Sequence, residues 1–156
     1  EGEFNQRQRT RQQIFESAQE KFNKISSETD TKKIKKWKDH DCFTTKQFRL
    51  YWRHMPSQSV IASFVKCYKN KDEKKMMENY RRLEDNKENI QKILPDVEFR
   101  NAMDDDEIEG DRPHLKISIP VPKNLEDITD SDSMKVSEKL ADDMKKFVDI
   151  VKELKL

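Results

Sequence analysis

Apolar side chains recur along this chain mostly at helical spacing, in stripes separated by long polar stretches. From Asn5 to about Ser26, Phe15, Ala18, Phe22 and Ile25 fall at i, i+3, i+7 and i+10. This predicts a first helix with a narrow seam rather than a broad core face. Its first half, with Arg7, Arg9 and Arg11 among glutamines, is almost purely polar and would fray unless held from outside. Five lysines between positions 32 and 38 surround Ile34 and Trp37, which are spaced for one short helix. Thr44-Thr45-Lys46-Gln47 then matches a capping box, and Phe48, Tyr51, Trp52 and Met55 supply one face of a third helix that Pro56 ends.

A fourth helix opens at Ser57 or Gln58, with Val60, Ile61, Phe64, Val65 and Tyr68 as the widest stripe of the chain and the expected core. Asp72 caps a fifth that runs to Leu94, before Pro95, with Met76, Tyr80, Leu83, Ile90 and Leu94 at intervals of 4, 3, 7 and 4. Leu115, Ile117, Ile119 and Val121 alternate instead, as in a strand or an extended peptide. Pro120 and Pro122 lack amide donors and exclude a central-strand role, so the strip is expected to lie along a surface of this chain or of a partner. Ser133 caps a last helix carrying Val136, Leu140, Met144, Phe147, Val151 and Leu154.

The fold class predicted is all-α and extended. Residues 1–95 form a basic helical region, residues 96–132 an acidic linker holding the extended strip 114–122, and residues 133–156 the C-terminal amphipathic helix. Three of the helices have the spacing of coiled-coil seams, more than one small monomeric core uses. They are therefore expected to meet partner subunits. The contact positions would be Phe15, Phe22 and Ile25 on the first helix and Met76, Tyr80, Leu83 and Ile90 on the fifth, with Leu140, Met144, Phe147 and Val151 on the last.

Composition strengthens this expectation. In 156 residues, 33% hydrophobic against 40% charged is thin material for a self-sufficient core. The net charge of +1 conceals a segregation. Residues 1–95 carry 22 Lys and Arg against 14 Asp and Glu, whereas residues 96–134 carry 4 against 12. The basic part could face nucleic acid, anionic lipid or an acidic protein, and the acidic part could neutralise it within the chain. Cys42 and Cys67 are too few for a disulfide framework, and no apolar run approaches the length of a membrane span. The start Glu1-Gly2-Glu3, without Met, fits a removed leader or a boundary within a longer chain.

Candidate chemistry changes the picture little. Gly2 and Gly110 are the only glycines, and no phosphate-binding, dinucleotide-binding or nucleophile-elbow motif occurs. The chain is read as not an enzyme. His40, Cys42, His54 and Cys67 are zinc-type ligands or Cys–His pairs by residue type, but they lack ligand spacing, and no metal or cofactor is expected. Asp105, Glu107 and Glu109 fall in a calcium-loop register that Lys116 breaks at its twelfth place. The basic cluster over 32–53 is the best functional alternative. Lys33, Lys35, Lys36 and Lys38 would contact phosphates, with Lys46, Arg49 and Arg53 beside them and Trp37 or Trp52 stacking on a base.

The segment Phe48 to Asn70, FRLYWRHMPSQSVIASFVKCYKN, resembles subunit d of mitochondrial ATP synthase. That resemblance covers about a seventh of the chain. It implies a helical component of the peripheral stalk in the mitochondrial matrix, with Tyr51, Val60, Ile61, Phe64 and Tyr68 as packing positions and no catalytic residues. The Pro-Phe segment such subunits carry has no counterpart here. The leading expectation is thus a non-catalytic helical subunit bracing a larger protein assembly. The alternative is a nucleic-acid-binding module of the cytoplasm or nucleus.

Overall fold

The computed structural model describes residues 6–26, 39–45, 47–67, 73–100 and 113–154. Helix α1 (Gln6–Ile25) leads into strands β1 (Asp39–Thr44), β2 (Phe48–Met55) and β3 (Val60–Cys67). Helices α2 (Glu73–Asp85) and α3 (Lys87–Ile93) follow, then β4 (Glu98–Arg100), β5 (His114–Pro120) and the long α4 (Asp130–Glu153). Among the described residues all strand pairings are antiparallel, in one five-stranded sheet of order β1-β2-β3-β5-β4. The protein is mixed α/β, which overturns the all-α expectation and the coiled-coil reading with it.

The correction lies in residues 48–67. Phe48, Tyr51, Trp52 and Met55 fit a helical stripe, but they also fit a strand that is apolar on both faces. Phe48, Leu50 and Trp52 enter the main core, while Tyr51 and Met55 belong to a separate cluster on the other side of the sheet. The same holds for β3, where Ile61 and Val65 face the main core and Ala62 and Phe64 the other cluster. Aromatic and β-branched side chains favour this pleated, two-sided environment. The capping chemistry expected at 44–47 is used in a turn instead. Thr45 Oγ1 accepts from the amides of Gln47 at 3.2 Å and Phe48 at 2.9 Å as β1 turns into β2.

Between β2 and β3 the chain makes one short helical turn, Pro56–Gln58, and Ser59 takes φ 54° and ψ 45°. This left-handed position would suit glycine, yet a serine fills it. Strand β5 was expected to lie off any sheet interior, but it sits between β3 and β4. Pro120 is its last residue, beyond the stretch paired with β4, and a strand end tolerates a missing donor.

Three of the expected helices are present. The fifth is divided at Asn86 into α2 and α3, and the last begins earlier than Ser133, because Thr129 Oγ1 accepts from the Asp132 amide at 3.1 Å. Helices α1 and α4 pack on one another and on the sheet face bearing Leu50, Trp52, Ile61, Val65 and Ile117. A buried hydrogen bond from Ser137 Oγ to the Ile14 carbonyl, 3.2 Å, ties the two helices together. The side chains of α2 and α3 join the same core, and Arg82 donates to the carbonyl of Leu154 just past the end of α4. Elements from all three expected regions therefore share one core, although residues 101–112 of the acidic stretch lie outside the described residues.

Candidate binding face

The seam positions are spent inside the molecule. Phe15, Phe22, Met76, Tyr80, Leu83, Ile90, Leu140, Met144, Phe147 and Val151 are all buried in the single core. Of these positions only Ile25 stands out, 46% exposed, so the named seams turn into the core rather than toward solvent. Lys33, Lys35, Lys36 and Lys38 lie outside the described residues. Trp52, expected to stack on a base, is buried on the helix side against Phe15, with ring centroids 6.2 Å apart.

The candidate ligands His40, Cys42, His54 and Cys67 are likewise buried. Gln19 of α1 accepts from His40 Nε2 at 2.9 Å, and Arg11 donates to His54 Nδ1 at 3.4 Å. Burial pushes the His40 imidazole down to about 4, against the pull of Asp41 and Glu16, so it is neutral at pH 7. Burial also pushes the Cys42 thiol up, which suppresses the thiolate a nucleophile or metal ligand needs. His40 Nδ1, Trp52 Nε1 and Ser63 Oγ are buried without a hydrogen-bond partner, and they occupy neighbouring register positions across β1, β2 and β3. Among the described residues no group of three His, Cys, Asp or Glu could hold a metal.

The opposite face of the sheet is built differently; the sequence reading named Arg49 and Arg53 in its basic cluster but not the strand pairing that sets them beside Tyr51, Phe64 and Lys116. Period-two alternation sends Arg49, Tyr51 and Arg53 of β2 to this side, with Phe64 and Lys66 of β3, His114 and Lys116 of β5 and Arg100 of β4. Tyr51 and Phe64 are direct cross-strand partners and stack at 4.9 Å with an interplanar angle of 8°. The Arg49 guanidinium lies 3.9 Å above the Tyr51 ring, and Arg53 and Lys116 approach the Phe64 ring at 5.8 and 6.0 Å. An aromatic floor thus carries a layer of cations, each attracted by the ring below.

Carboxylates of β1 fix this layer from the side. Asp39 accepts from Arg53 at both oxygens, at 2.6 and 2.9 Å, and lies 3.5 Å from Arg49. Asp41 accepts from Arg49 Nε at 2.5 Å. Burial pushes the Asp39 carboxyl up, but hydrogen bonds and charge pairing with Arg53 and Arg49 outweigh it and hold the group below its usual range. The side chains of Arg49 and Arg53 keep 16% and 35% of their surface exposed, so the layer is ordered yet reaches solvent.

Comparison with protein-family models, with curated proteins and with solved structures finds no match to this chain. The peripheral-stalk resemblance rested on packing positions in residues 48–70. Those described form the β2–β3 hairpin instead of helices, and nothing supports the stalk or its mitochondrial setting. No helix of the described residues is long and apolar enough to cross a membrane.

Proposed function

We propose that this chain is a non-catalytic binding component of a larger assembly, and that it engages its partner through the sheet face opposite α1 and α4. One observation carries the reading: that face holds an ordered layer of arginines on stacked aromatics, fixed by Asp39 and Asp41. A merely solvated sheet face needs no such order, since isolated surface ion pairs add little stability. Preordering two long cationic side chains lowers the entropy lost when a partner binds. The buried thiols and the neutral, buried His40 support a binding role over catalysis.

The test uses the tagged full chain expressed in its own cells and fractionated by size. The wild type should elute in a complex much larger than its own mass. The double variant Arg49→Glu/Arg53→Glu should elute as the free chain while keeping the wild-type circular dichroism spectrum. A folded variant that stays in the complex, or a wild type that never enters one, overturns the reading.

A further inference from the structure

We infer that the protein partner of this face offers it an aromatic side chain, whose ring stacks on the outer planes of Arg49 and Arg53; the inference rests on the binding reading above. The way each guanidinium is already occupied carries it. A guanidinium has two flat sides and a rim of N–H donors. In Arg49 the inner side rests on Tyr51, 3.9 Å from the ring centre. Its rim gives Nε to Asp41 at 2.5 Å and Nη2 to Asp39 at 3.5 Å. Arg53 repeats the pattern. It leans over Tyr51 and Phe64 at 5.4 and 5.8 Å, and its Nε and Nη2 donate to the two oxygens of Asp39 at 2.6 and 2.9 Å.

The outer sides are what these contacts leave. Arg53 keeps 35% of its side chain exposed and Arg49 keeps 16%. With rings beneath and carboxylates along the Nε–Nη2 edge, that exposed part is the outer plane and the Nη1 corner beside it.

An anion gains little at such a surface. The two arginine charges are matched by two carboxylates within the layer, and the edge that would grip a carboxylate or phosphate with two parallel hydrogen bonds is taken in both residues. An incoming anion would also meet Asp39 and Asp41, which repel it. An aromatic ring needs none of the occupied donors. Its π-face is drawn to the cation from above, and a guanidinium is weakly hydrated, so its plane gives up water more readily than an ammonium does. The ring completes a sandwich in which Arg49 lies between Tyr51 and the partner. Tyr51 and Phe64 are themselves buried, so an arriving ring meets the guanidinium planes first. Asp39 and Asp41 hold those planes before the partner arrives, which reduces the entropy lost on docking. Nucleobases are flat too, but they come with phosphates that the same carboxylates repel, whereas Tyr, Trp and Phe are enriched at protein interfaces.

The experiment is an NMR titration of the full chain that follows the Nε–Hε signals of Arg49 and Arg53. The probes, in separate samples, are N-acetyltryptophanamide, sodium acetate and a single-stranded oligonucleotide. The tryptophan amide should move both signals upfield, because protons held over a ring face are shielded, while acetate at the same concentration leaves them in place. A second measurement uses the variant Arg49→Lys/Arg53→Lys, which keeps both charges and loses both planes. It should recover about tenfold less of the cellular complex than the wild type, the loss expected from two stacked contacts, with an unchanged circular dichroism spectrum.

No upfield shift with the tryptophan amide, or an equal response to acetate, overturns the inference. A larger response to the oligonucleotide than to the aromatic probe also overturns it and assigns the face to nucleic acid. If Arg49→Lys/Arg53→Lys stays in the complex while Arg49→Glu/Arg53→Glu is released, the aromatic assignment falls and the binding reading stands. If the glutamate variant also stays, the binding reading falls with it. Should the lysine variant not fold, the titration of the wild type decides alone.

Discussion

At the scale of single residues, His40 shows how burial decides chemistry. Its ring lies among Phe15 and Trp52 with Nε2 committed to Gln19, so protonation inside the fold is costly. The folded form takes up a proton only near pH 4, while the unfolded chain does so near 6.5. Stability from the neutral ring is complete above pH 6.5 and is lost as the pH falls toward 4, by about 3 kcal/mol in all at 1.4 kcal/mol per unit. Asp39, whose carboxyl is held low, loses its contribution only below its ordinary range of about 4. Asp143, raised chiefly by burial, acts in the opposite sense and gains as the pH falls. Urea unfolding at pH 7 and pH 4.5 should show a drop in the wild type that shrinks in His40→Gln. An equal drop in both proteins would show that the ring is not the source.

Residue-level reading of the sequence met its limit at geometry. The scarcity of glycine argues against the phosphate-cradling and nucleophile-elbow motifs, yet it does not forbid a left-handed turn. Ser59 adopts one in the β2–β3 connection. Trp52 could be recognised as apolar core from its neighbours, whereas its pairing with His40 across two strands depends on a register that no local spacing reveals.

At the scale of elements, the stripes on α1, on α2 with α3, and on α4 were legible because a 3.6-residue period has little competition over 13 to 24 residues. The two eight-residue strands were not. In so short a run, apolar residues on both faces of a sheet imitate a helical stripe, and Pro56 reads equally as a helix stop or a hairpin turn. Where each stripe goes is also a matter of tertiary structure. Phe147 of α4 was expected to face a partner and instead lies fully buried in the common core. Phe147→Ala should therefore cost about 3–5 kcal/mol in chemical unfolding of the isolated chain. A loss below about 1 kcal/mol would mean that α4 is not packed as described.

At the scale of the whole molecule, the sheet divides two kinds of surface. One side buries nearly every apolar stripe of the described residues under α1 and α4, which gives a charged, glycine-poor chain a continuous core despite its thin composition. On the other side, cations rest on Tyr51 and Phe64 and are pinned by β1. The charge segregation in the sequence hinted at a basic surface over residues 32–53, with the lysines of 32–38 as its contacts and Arg49 and Arg53 beside them. The face itself joins Arg49 and Arg53 of β2 and Phe64 of β3 to Lys116 of β5, across strands that α2 and α3 separate in the chain.

The most direct test of that division is an NMR titration of isotope-labelled protein with the partner captured with the tagged chain from its own cells. The largest amide shift changes should fall in residues 49–53 of β2, 64–66 of β3 and 114–116 of β5, with α1 and α4 nearly unmoved. Changes confined to the outer sides of α1 and α4, or no changes at all, would contradict the account.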